Sequence, residues 1–330
     1  MIKPGFLLLL FMLGLPVVLE AQCCSAGNPL SPEAGKLRLK PGELVVSASF
    51  RHSVADQYYS GATWANITGP GIIEKSWHNF SKLNITYGVL PWLAIQVEQG
   101  YFFIRAEKYG DQTIGTIMGR GIADLQASIR TQHRLGKATF FIPSFGITFP
   151  VGQFDLEEDR VRLPISLQPG SGDYKYHLNA RLLKSFPRLK TDAHLTLGFE
   201  YPVLIHTRNF YYKYGLRYHA TAYVAGWISK NVLLGGLLNC DIRGKATREQ
   251  NQIVNSSGYR VFSIAPQGGI NLTEDLHVST MLEIPVLRYF NGIQLGNKYA
   301  VSVNFSYTFR KRSFRIGKIV APIIRPELIE

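Results

Sequence analysis

Along KYAVSVNFSYTF, residues 298–309, Tyr299, Val301, Val303, Phe305, Tyr307 and Phe309 alternate with Ala300, Ser302, Asn304, Ser306 and Thr308. Side chains two apart share a face of an extended strand, so this segment has one aromatic and aliphatic face and one small polar face. The same period of two recurs, less cleanly, through the chain, with little helical periodicity beyond residue 21. It predicts twelve strands, at about 44–52, 79–89, 92–104, 121–132, 138–149, 173–184, 190–201, 211–227, 230–242, 257–270, 275–288 and 297–309. Turn residues such as Leu90-Pro91, Asn231 and Asn271 separate many of them. Two connections read as long, 53–78 and 150–172.

A sandwich in water uses the same alternation, but it would have to bury one face of all twelve strands. The N-terminus points to a different solvent. A positive start at Lys3, an apolar run from Phe6 to Leu19 and a small residue at Ala21 have the form of a secretory signal peptide. The run is short for a membrane-crossing helix, and the mature chain has no stretch of 18 or more apolar residues. Repeated apolar/small-polar strands behind an export signal predict an all-β fold, a single closed antiparallel transmembrane β-barrel of about twelve strands, with ten to fourteen compatible. Closure pairs every backbone group that would otherwise face hydrocarbon. The expected division is 1–21 signal peptide, 22–43 N-terminal segment, 44–309 barrel and 310–330 basic extension. Aromatic clusters at Tyr101-Phe102-Phe103, Phe140-Phe141 and Phe210-Tyr211-Tyr212 are expected to form the interfacial girdles.

Composition then narrows the partners. The chain of 330 residues carries a net charge of +13, and loss of Lys3 and Glu20 with the signal leaves it unchanged. Such a balance often serves nucleic acid, but an exported chain is expected to meet outer-membrane lipid, the assembly machinery and a small solute instead. Part of the excess lies in the tail, at Arg310, Lys311, Arg312, Arg315 and Lys318. Cys23 has Glu20 and Gln22 where lipidation wants an apolar and a small residue. With Cys24 and Cys240 it makes three cysteines, too few for a disulfide framework. No metal or cofactor is expected.

If the apolar faces meet lipid, their complement lines the interior. Asp124, Gln126, Ser128 and Arg130 oppose Leu125, Ala127 and Ile129. Lys175, His177, Asn179 and Arg181 oppose Tyr174, Tyr176, Leu178 and Leu182. Glu200 and His194 lie opposite Leu195, Leu197 and Phe199; Lys213, Arg217, His219 and Thr221 lie opposite Tyr212, Tyr214, Leu216 and Tyr218. Asn239, Asp241, His277, Ser279 and Glu283 complete this polar set. The candidate solute contacts are thus Asp124, Arg130, Lys175, His177, Arg181, Glu200, Arg217 and His219. Such charges either cross-link a narrow barrel into a solid core or line a wet passage, and strand spacing leaves both open.

Residues 119–155, GRGIADLQASIRTQHRLGKATFFIPSFGITFPVGQFD, and 163–182, LPISLQPGSGDYKYHLNARL, carry a more particular pattern. Gly121, Asp124 and Leu125, then Pro150 and Gly152, then Leu167, Gln168, Pro169, Gly170 and Gly172 resemble the outer-membrane barrels known as meta-pathway phenol-degradation proteins or simply transporters. Asn291-Gly292 and Gln294-Leu295 before the last strand are similar to that family's ending, and CCSAGNPLS at 23–31 is similar to the mature starts of its Bacteroidota members. The resemblance implies an outer-membrane place and uptake of small, often hydrophobic or aromatic compounds, with no ligand residues to carry over. The chain departs from the family in running 21 residues past Phe309.

The remaining motifs favour bland readings. QPGSGD lacks the Lys-Ser/Thr and following helix of a phosphate loop, and reads as a turn. Asp155, Glu157, Glu158 and Asp159 suit a hard cation, but a solvated loop accounts for them. A lipid hydrolase would bring a serine to one of His177, His194 or His219, yet no G-x-S-x-G elbow is present. The expected function is non-enzymatic uptake through an outer-membrane transporter or channel; the alternative is a structural barrel whose outer loops bind a surface partner.

Overall fold

The computed structural model describes residues 38–69, 71–207 and 210–310. The expected signal peptide at 1–21, Cys23, Cys24 and the tail beyond Arg310 lie outside the described residues.

Eleven extended elements build the wall: β1 (Leu44–Gly61), β2 (Ile73–Leu90), β3 (Leu93–Tyr109), β4 (Thr116–Thr131), β5 (Thr139–Phe149) and β6 (Lys175–Phe186), then β7 (Thr191–Pro202), β8 (Arg217–Trp227), β9 (Val232–Arg243), β10 (Tyr259–Asn271) and β11 (Leu276–Phe309). Each pairs antiparallel with its chain neighbours, and β11 returns to β1 with Phe309 opposite Leu44, which closes the barrel. At 34 residues β11 would reach roughly 110 Å if straight, far beyond a bilayer core of about 30 Å. It folds back at Asn291-Gly292, where Gly292 has φ 61° and the Thr308 N–H reaches the Asp275 carbonyl at 2.9 Å. One arm faces β10 and the other β1, so the wall is crossed twelve times. Gly292 supplies the positive φ at this turn, a conformation that glycine adopts without a Cβ clash.

The outward face is apolar. Leu178, Leu182, Leu195, Leu197, Phe305 and Tyr307 are exposed, at a cost in water of about 1.5–3 kcal/mol each. Hydrocarbon removes that cost, and the band they form is the lipid-facing surface of an outer-membrane barrel. Among the described residues no helix is long and apolar enough to cross a membrane.

The two rims differ. Short turns join β2 to β3, β6 to β7, β8 to β9 and β10 to β11, whereas the β5–β6, β7–β8 and β9–β10 connections at the other rim are long. Barrels of this kind keep short turns on the periplasmic side and long loops outside. Short strands at Ile205–Thr207, Phe210–Lys213, Thr247–Arg248 and Gln252–Ile253 form a small sheet above the long-loop rim.

Three expectations are corrected. The 53–78 connection is mostly strand, because β1 runs on to Gly61 and β2 begins at Ile73. The 211–227 strand is two elements; Tyr212 and Tyr214 turn away from lipid into an apolar cluster with Ile205 and Ala246, and β8 starts only at Arg217. Of the aromatic clusters, Phe102 and Phe140 point inward and are buried. Phe102 packs on Phe80 and Ala123, and Phe140 on Ile142 and Leu183.

Candidate functional site

Alternation along each strand sends one charged set inward, and antiparallel register sets partners opposite one another: Glu200 faces Arg217 across β7–β8, and His177 faces Glu200 across β6–β7. Arg217 donates from two nitrogens to the two Asp241 carboxylate oxygens, each at 2.8 Å, and lies 3.6 Å from Glu200. Arg243 donates to Glu200 at 3.1 Å, and Tyr259 donates its hydroxyl to Asp241 at 3.3 Å. His177 sits 3.9 Å from Glu200 and 2.7 Å from the Thr148 hydroxyl. Elsewhere on the wall Arg51 pairs with Glu283 and Lys82 with Glu98, both at 2.7 Å. Pairing of this kind lets charges persist away from bulk water, where an isolated one is costly.

The long β5–β6 connection folds into this charged interior. The Asp124 carboxylate, on β4, accepts the backbone N–H of Gly152 at 3.2 Å, the N–H of Ser171 at 2.8 Å and the Ser171 hydroxyl. Lys175 donates to that same Ser171 oxygen and lies 2.8 Å from Asp173. Gln168, wholly buried, ties the loop to itself: its side chain accepts from the Leu156 N–H at 2.9 Å and donates to the Leu156 and Leu163 carbonyls at 3.0 Å. Its carbonyl accepts from Arg105 of β3 at 2.6 Å. Close backbone approach completes the seat. A Cβ on Gly119 would stand 2.0 Å from the Leu167 carbonyl oxygen, and one on Gly170 would stand 2.6 Å from the Gly152 backbone. The glycine-rich strand, the Pro-Val-Gly turn and the LQPGSGD element, far apart in sequence, are therefore one structural unit. Above it Tyr214 donates to the Ser171 carbonyl at 3.2 Å. The acidic residues Glu157 and Glu158 lie on the exposed hairpin of this loop.

Two cavities remain beside the loop, each of about 240 Å³. The first runs down the lumen. Asp124, Arg130, Lys175 and His177 line it, as do Arg181, Glu200, Arg217 and His219, so the structure gathers all eight sequence candidates around one space. Seven guanidinium or ammonium groups face four carboxylates there, among apolar side chains that include Phe80, Ile142, Leu237 and Met281. The second cavity lies toward the long-loop rim, between β1, β2, β10 and β11. Arg105, Arg217, Asn239 and Glu283 border both. At the other end residues 38–43 lie against the short-turn rim. Leu39 is buried, its carbonyl accepts from Gln132 at 2.9 Å, and the Arg38 guanidinium stacks 3.6 Å from the Phe140 ring centre. Among the described residues no cluster of three His, Cys, Asp or Glu is placed to hold a metal ion.

Arg105, Arg243, Arg51 and the inward aromatics were not among the candidates. Arg105 and Arg243 lie one residue beyond the predicted strand ends at 104 and 242. A register shift between Phe102 and Arg105 also turns both residues inward despite their odd spacing. Phe80 carries no sequence signal of its own; it shares a face with Lys82, and only its neighbour Phe102 across the strand pair explains its direction.

An outer membrane channel from Pseudomonas putida F1 superposes on this structure with a TM-score of 0.67 at 14% identity, covering 85% of this chain and 100% of that one. The chain is an outer-membrane β-barrel with the fold of a channel protein. Two other solved barrels superpose less closely. The KdgM porin gives 0.43 at 9% identity, over 80% of this chain and 99% of its own. The Pseudomonas putida toluene transporter TodX gives 0.40 at 9% identity, over 81% and 88%. No family model and no curated protein matches the chain, so the narrower resemblance to phenol-degradation barrels rests on its motifs.

Proposed function

We propose that this barrel takes up small solutes across the outer membrane, hydrophobic and aromatic ones among them, and favours those that carry a negative charge. The observation that carries this reading is the lining of the lumen cavity, where seven cationic groups stand with four carboxylates and apolar side chains share the same wall; Asp173 and Asp241 pair with Lys175 and Arg217 from just outside it, and a small cationic excess is left. A cationic lining raises the local concentration of anions, and low-dielectric walls strengthen that field. Arg130, Arg181 and Arg217 form part of a charged path, and the loop anchored by Asp124 sets how much of the lumen is left open.

The step is passage without covalent chemistry. Ser53 does lie 2.8 Å from His78, but the charges beside that imidazole are the guanidiniums of Arg105 and Arg51. A nucleophilic pair needs the reverse, a carboxylate or amide that orients the ring and stabilises it when protonated.

The test is the reversal potential of the protein in a planar bilayer under a salt gradient. The wild type is expected to favour chloride over potassium, and neutral replacements of Arg130, Arg181 and Arg217 to reduce that preference severalfold. Unchanged selectivity in all three variants would overturn the assignment.

A further inference from the structure

The cavity at the long-loop rim differs in kind from the charged lumen below it. Tyr58, Phe290 and Leu295 give it a largely apolar wall. Four guanidiniums and three carboxylates also border it. Arg51 is paired with Glu283 at 2.7 Å and Arg217 with Asp241 at 2.8 Å. Arg105 stands in the field of Glu107. Arg288 is left over. It donates to the Tyr59 hydroxyl and, at 3.0 Å, to the Pro285 carbonyl, both neutral. Its guanidinium lies 4.9 Å from the Tyr59 ring centre, and its Nε is shielded from solvent without an acceptor.

An apolar, aromatic-lined hollow with one uncompensated cation has the features of a small-molecule site, in which apolar walls supply contact area and a few polar groups fix orientation. We propose that this outer cavity binds a small aromatic monocarboxylate, with Arg288 receiving the carboxylate and the ring lodged between Tyr58 and Phe290. The proposal rests on the uptake reading and names the class of solute first captured from outside. One surplus positive charge suits a monoanion. A volume of about 240 Å³, below the roughly 300 Å³ at which drug-sized pockets begin, suits a single ring. Arginine suits a carboxylate because its planar fork can donate two parallel hydrogen bonds, which also aligns the ring.

The experiment uses the detergent-folded protein and three probes: benzoate, benzyl alcohol and acetate. Calorimetry is expected to show benzoate binding at least tenfold more tightly than either of the others, since benzyl alcohol lacks the charge and acetate lacks the ring. Arg288→Gln is expected to lower benzoate affinity about tenfold, the loss of roughly one charged hydrogen bond, and to leave benzyl alcohol unchanged. Arg288→Lys is expected to recover part of the loss, and the heat-modifiable band on a gel reports that each variant is folded. Equal binding of benzoate and benzyl alcohol by the wild type would overturn the proposal, as would undiminished benzoate affinity in folded Arg288→Gln. Conduction without selective benzoate binding refutes the pocket and leaves the uptake reading intact. Selective binding without conduction supports the pocket and refutes uptake.

Discussion

Asp124 shows what a single side chain can and cannot reveal in sequence. Its inward direction follows from alternation with Leu125, but its three hydrogen-bond donors lie 28 and 47 residues away, on a loop whose path no local pattern sets. Each bond to a charged acceptor is worth about 1.5–3 kcal/mol. Asp124→Ala is therefore expected to free the loop at a cost of about 3 kcal/mol, with faster amide exchange at Gly152 and Ser171 and a larger single-channel conductance. Exchange rates unchanged at both amides would show that the loop is held elsewhere. Arg217 is the complementary case. It neutralises Asp241 and faces Glu200 in the buried belt, so Arg217→Met strands carboxylates away from water. Removal of one partner from a buried pair costs about 3–5 kcal/mol. Thermal unfolding in detergent should show that loss, and a further Asp241→Leu change should restore part of it.

Among the elements, the ones with an unbroken period of two were legible to within a few residues: β5, β6, β7 and β9 match the predicted spans closely. The misreadings have local causes. The end of β1, ADQYYSG, has register shifts after Val54 and after Ala55, and each bulge resets which face a side chain takes. The pattern there stops looking like a strand although the ladder continues. Phe210–Lys213 has a convincing alternation, yet it pairs within the small outer sheet, and only tertiary packing against Ile205 and Ala246 shows it. The hairpin of β11 makes a sharper prediction. Gly292→Ala places a side chain at φ 61°, which costs about 1–2 kcal/mol. The expected result is a lower unfolding temperature with conductance unchanged. The inward loop predicts the opposite separation: Gly119→Val, whose side chain would meet the Leu167 carbonyl, should alter conductance strongly, because the strand persists while the loop is displaced.

For the whole molecule, compartment and architecture were legible because they rest on a property repeated in every crossing, an apolar face set against a polar one. The pore was not, because its free space depends on where one loop folds and on how charges pair across strands that are distant in sequence. A basic net charge of +13 gave no guide to the lumen by itself; the small excess of cations along the cavity wall did. The central claim is that this wall surrounds a passage. The direct measurement is permeation of size-matched neutral, anionic and aromatic solutes into liposomes that carry the folded protein. The account predicts entry above protein-free liposomes, faster for an anion than for a neutral solute of the same size. Folded barrels that admit none of the three would contradict it and mark the protein as a plugged or structural barrel.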